Sequence, residues 1–176
     1  MGCNCTGACR SGEGCCGGYP NHIHYIETPK TNLRMVEEFH RTFDVTVNDV
    51  PTVLDRETAE FRKELIVEEF KETLEELGYF FGRADCVDCT CSPNGNTEIN
   101  LTKLAKEMAD LLYVVYGTAV TYGIDLDAVF AEVHRSNMSK LTADGKVLRR
   151  EDGKVLKSDQ YRPADLSTVN MNLKKD

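Results

Sequence analysis

The chain has 176 residues, 41% of them hydrophobic and 28% charged, enough for one domain with a packed core. Its formal net charge of −8 argues against nucleic acid as a partner, because that backbone rewards clustered Lys and Arg. It leaves room for a polyphosphate bridged by divalent cations, and the lack of a long apolar run excludes a membrane partner and predicts a cytoplasmic protein.

Residues 1–30 read as a segment of their own, with Cys3, Cys5, Cys9, Cys15 and Cys16 set among glycines and little to bury. Residues 31–141 read as a helical bundle. Leu33, Val36, Phe39 and Phe43 predict a short helix over 32–43, and Pro51 interrupts the chain after it. Ile66, Phe70, Leu74, Leu77 and Phe81 give one apolar stripe and predict a long helix over 55–81. A loop over 83–98 follows. Asn100 is a candidate cap for a second long helix over 101–122, Gly123 a stop, and Asp125 a cap for a third over 126–138. Residues 142–176 read as a small β-hairpin and tail, because two Lys-Val-Leu segments flank Asp152-Gly153. The fold class is therefore all-α, with a C-terminal β appendage.

Eight cysteines without an export signal point to thiols or metal ligands. Cys86 and Cys89 form a C-x-x-C that N-terminal cysteines, or His22 and His24, could complete as a structural zinc site. That defines a rival class, a zinc-stabilised interaction module without activity.

The sharpest pattern is acidic. Glu69 and Glu72 on the first long helix, and Glu107 and Asp110 on the second, are each separated by three residues, which stacks two carboxylates on one helix face. At about 100° per residue the two pairs take matching positions beside their apolar stripes. Facing helices would bring four like charges together, a set that raises its own pKa values or takes up hard cations. Solvated helix faces are the alternative for either pair alone. A di-iron site needs two copies of Glu-x-x-His, and only Glu37 with His40 has that spacing, which leaves His40 as an ordinary surface residue.

Glu68-Glu69-x-x-Glu72 followed by Glu107-x-x-Asp110 resembles the signature of the all-α nucleoside triphosphate pyrophosphohydrolases, which include MazG proteins, dimeric dUTPases and phosphoribosyl-ATP pyrophosphohydrolase. The resemblance covers roughly residues 32–141. It implies a MazG-like bundle and Mg²⁺- or Mn²⁺-dependent cleavage between the α and β phosphates, with two or three ions per site. It also implies metal ligation by Glu69, Glu72, Glu107 and Asp110, and a role for Glu68 in orienting or deprotonating the attacking water. Ser136-Asn137-Met138-Ser139-Lys140 is similar to the segment with which these enzymes contact phosphates, so Asn137 and Lys140 are candidate substrate contacts. Lys146 and Arg149 are further candidates, with Arg150 beside them. The hairpin and Tyr161-Arg162-Pro163 look like the phage-type, MazZ-like members, some of which act on (d)GTP; dUTP, dCTP and phosphoribosyl-ATP are the alternatives. Family sites are completed across subunits, so a homodimer or homotetramer is expected, in the host cytoplasm if the source is viral. Phe39, Phe43, Tyr113 and Tyr116 could stack on a base or serve as core.

Overall fold

The computed structural model describes residues 30–79 and 99–173. Among the described residues four α-helices carry the fold: α1 (Asn32–Thr42), α2 (Arg56–Glu76), α3 (Leu101–Tyr122) and α4 (Leu126–Met138), followed by a 3-10 turn at Leu166–Thr168. The all-α class holds, and no helix among the described residues is long and apolar enough to cross a membrane. The cysteine segments and Phe81 lie outside the described residues, and with them the possible zinc site.

Each helix starts where a side chain can take up an unpaired backbone N–H. Asp55 accepts from Thr58 N at 2.9 Å, Asn100 from Thr102 N and Lys103 N at 3.0 and 3.1 Å, and Asp125 from Ala128 N at 2.9 Å. Gly123 ends α3 with φ +72°. The apolar stripe of α2 predicts a helix to residue 81, but the helix stops at Glu76. Gly78 stands two residues on at φ +85°, and a left-handed residue cannot continue a right-handed helix.

The core is small and lies between α1 and the C-terminal half of α3. Leu33, Val36 and Val120 are buried together with Leu173, and Val47 and Tyr116 pack against them. The loop before α2 is pinned to the end of α3 by Asn48 Nδ2 donating to the Thr121 carbonyl at 2.6 Å, and by Thr52 N donating to the Tyr122 carbonyl at 2.9 Å. The C-terminal segment returns across the same end, where Asp125 N donates to the Met171 carbonyl at 2.7 Å.

Two expectations fail here. His40 is buried, at 3% exposed, and its Nδ1–H donates to the Thr46 carbonyl at 3.0 Å, while Glu37 is held by Arg34 and Arg41. The spacing test for a di-iron site says nothing about which face of the helix is buried, so it could not place His40. The β-hairpin is reduced to one antiparallel bridge, Arg149 with Val155. Arg150 and Lys154 still pair around a three-residue loop with Gly153 at φ +85°. The ladder extends no further where Val147, Leu148, Val155 and Leu156 stay exposed, and isolated hairpins are marginal.

The C-terminal segment also docks on α4. Glu132 accepts from Arg135 at 2.7 Å and from Asp165 N at 2.7 Å, and these contacts hold its carboxyl at about 2, below its ordinary value of 4.5. A carboxyl with a lowered folded pKa stabilises above its unfolded value and loses that contribution as pH falls through the folded one. The segment around Asp165 is thus expected to loosen between pH of about 4.5 and about 2. Protection of the Asp165 amide against hydrogen exchange, taken relative to its intrinsic rate, should fall in that window, and Glu132→Gln should show the lower protection already at neutral pH.

Candidate metal centre

α2 and α3 pack antiparallel: Arg62 reaches Val114 and Thr118, and Glu69 faces Glu107. The i, i+3 spacing within each helix turns the two acidic pairs toward this seam. Glu69, Glu72 and Glu107 each offer an oxygen, and these oxygens lie within 4.8 Å of one another. Asp110 stands at the edge of the cluster. It is tied to Lys106, whose ammonium lies 2.9 Å from Asp110 Oδ2 and 3.0 Å from Glu107 Oε2.

The electrostatics match the geometry. Burial, then the charges of Glu72 and Asp110, push the Glu69 carboxyl above its ordinary pKa. Burial, then Glu107, does the same to Glu72. Hydrogen bonds to Asp110 and Glu107 push the Lys106 ammonium up. Glu69 Oε2 is buried and accepts no hydrogen bond among the described residues. A buried carboxylate oxygen left alone beside other carboxylates is costly unless a proton or a cation joins it. The donors are all oxygen, the set preferred by hard divalent ions, and an ammonium already bridges two of the acids. The cluster could hold a divalent cation.

The other predicted residues are not among the three whose oxygens meet. Glu68 faces outward on α2, where it lines a shallow groove of about 450 Å³ with Lys63, Glu64, Val67, Lys71, Glu72 and Glu75. Its link to the metal ligands is therefore Glu72, which reaches both groove and cluster. Lys140 Nζ donates to Asn137 Oδ1 at 2.7 Å, so the two act as one polar unit at the end of α4. Lys146 is paired with Asp144 at 2.6 Å, and Arg149 Nη1 donates to the Gly153 carbonyl at 2.9 Å. Among the described contacts none of these four touches the carboxylates. Of the aromatics, Phe39 packs edge-on to Tyr113 with centroids 5.6 Å apart, and Tyr116 donates to Asp127 at 3.1 Å.

Arg62 escaped the sequence reading. It is 6% exposed, donates to the Val114 carbonyl at 2.9 Å and to Thr118 Oγ1 at 3.2 Å, and has no carboxylate partner among the described residues. Gly117 makes the space: a Cβ there would lie 2.5 Å from Arg62 Nη2 and 3.0 Å from His40 Nε2. Burial, with the Arg62 charge close by, keeps His40 below its usual pKa and so neutral. The available signal was an arginine seven residues before Glu69, on the same helix face, with a glycine inside the facing helix.

Fold and site together define an all-α protein with an acidic seam between two antiparallel helices that could hold a cation. The sequence pattern of the family described as phosphoribosyl-ATP pyrophosphohydrolase matches residues 36–137, which include all four carboxylates. The chain belongs to that family, within the MazG-like all-α superfamily. It is also similar to an uncharacterized protein of Acanthamoeba polyphaga mimivirus, at 27% identity over 160 residues, covering 81% of this chain. The match covers 55% of that viral protein, so the chain spans about half the length of this relative.

Proposed function

We propose that this chain is a metal-dependent nucleoside triphosphate pyrophosphohydrolase that cleaves the α–β bond and releases a monophosphate and pyrophosphate. The observation that carries the reading is the orphaned Glu69 oxygen within a cluster of three carboxylates on facing helices, inside the stretch that matches the family. Glu69, Glu72 and Glu107 would hold Mg²⁺ or Mn²⁺, and Asp110 would join them once Lys106 turns away. When bound, the ions supply charge neutralisation for the triphosphate and activation of water. Glu68, one residue from a ligand and open to solvent, would orient or deprotonate that water. Asn137 and Lys140 offer a donor pair to the phosphates, and Lys146 and Arg149 can add charge only by leaving Asp144 and Gly153.

The favoured substrate is (d)GTP, ahead of dUTP, dCTP and phosphoribosyl-ATP. The assembly is a homodimer or homotetramer. Supporting that assembly, Leu101 is 75% exposed and Met108 and Leu112 each 52%, on the part of α3 that carries the acidic pair. Such an apolar stretch favours a covering subunit.

A panel of ribo- and deoxynucleoside triphosphates with Mg²⁺ or Mn²⁺, scored for pyrophosphate, tests activity and preference together. The expected result is release with at least one purine triphosphate that stops when EDTA is added. No release from any member of the panel would overturn the reading.

A further inference from the structure

A second cavity opens at the other end of the α2–α3 seam. It holds about 330 Å³ and is lined by Asp44, Val45, Thr46, Glu57, Thr58, Phe61, Arg62 and Thr121. Arg62 is the unusual member. It is a largely buried cation with no counter-anion among the described residues, fixed through Nε and Nη2 to α3, with Nη1 unbonded there and open to the cavity. A guanidinium only donates, so what completes it must present an acceptor oxygen or ring nitrogen. A phosphate is a poor occupant, because Asp44 and Glu57 stand in the same lining and would repel it. A neutral heterocycle fits both facts. Phe61, 55% exposed and in the same lining, offers a flat apolar surface for it.

The position agrees. Arg62 precedes Glu69 by seven residues, about 20° short of two helical turns, which puts it about 10 Å along the same face. That is the reach of a nucleoside from phosphates held at the carboxylates. Resting on the pyrophosphohydrolase reading, we propose that this cavity is the base subsite, and that Arg62 selects bases with an exocyclic oxygen over bases with an exocyclic amino group. An oxo group accepts from Nη1. An amino group at that position would set donor against donor and displace water from Nη1 without replacing its hydrogen bond.

The test uses nucleosides alone, in EDTA, followed by NMR titration of the protein. Inosine and adenosine differ at position 6, oxo against amino. Inosine is expected to bind about tenfold more tightly than adenosine, with shifts centred on Thr46, Phe61, Arg62 and Thr121. Arg62→Met, which removes every donor, should erase the preference, and Phe61→Ala, at an exposed position that leaves the fold intact, should weaken both about tenfold. Equal binding of the two by the natural chain, no binding of either, or unchanged affinities in Phe61→Ala would overturn the proposal. No phosphate and no metal enter this measurement, so its failure leaves pyrophosphate release untouched, and a failed release assay leaves a positive titration standing as a base site without that chemistry.

Discussion

Glu69→Gln is expected to lower pyrophosphate release by at least about a hundredfold, since even groups that only support metal ligands cost up to that much. Glu69 carries a buried oxygen without a hydrogen-bond partner among the described residues and faces both Glu72 and Glu107, so its loss removes the donor most in need of a cation. The helices should survive. Gln keeps the shape of Glu, removes one member of a repelling set and ends the cost of burying its charge. Its carboxyl is raised, so in the metal-free protein its ionisation opposes folding above the folded pKa, and that opposition is relieved below the unfolded one. The metal-free variant should therefore melt no lower than the natural chain at neutral pH. The rise in melting temperature that Mn²⁺ gives the natural chain should shrink in the variant. Undiminished release, or an unchanged Mn²⁺ shift, would show that Glu69 holds no cation.

Gly123→Ala is expected to be the most damaging single change to the fold, at about 2 kcal/mol or more. Gly123 sits at φ +72°, where an L side chain is strained, and a Cβ there would lie 2.1 Å from the Val50 carbonyl oxygen and 2.5 Å from its carbon. Both atoms are backbone and cannot swing aside. The loop bearing Val50 is the one that Asn48 and Thr52 pin to α3, so displacing it loosens the connection between α1 and α2. At this chain length the cost corresponds to a fall in melting temperature of about 5 °C or more. Gly145→Ala is the control: it has positive φ, but no atom lies within 4 Å of its Cβ position, so the backbone strain acts alone and the fall should be smaller. Equal melting temperatures for the two variants would remove the steric explanation.

Elements whose signals are local were legible in the sequence. Asn100 and Asp125 cap the helices they were expected to cap, and Gly123 ends α3, because caps and stops depend on a few neighbouring atoms. The i, i+3 acids were legible for the same reason, and facing helices then brought Glu69, Glu72 and Glu107 together. Asp110 shows the limit: helical phase puts it on the right face, but its tie to Lys106 is a choice of side-chain rotamer that no spacing reveals. The end of α2 was missed because an apolar stripe carries the eye past Gly78, where the backbone decides. The hairpin was overread because the turn signal is local, whereas a ladder needs a surface to pack on. His40 and Arg62 were illegible because polar residues are read as exposed by default, and their burial depends on the space left by Gly117 on a helix far away in the chain.

If the carboxylate seam binds a cation and directs cleavage between the α and β phosphates, phosphorus-31 NMR of a reaction run on the best triphosphate of the panel should show monophosphate and pyrophosphate as the only products, formed with Mg²⁺ or Mn²⁺ and not in EDTA. Diphosphate with orthophosphate, or turnover that persists in EDTA, would contradict that reading.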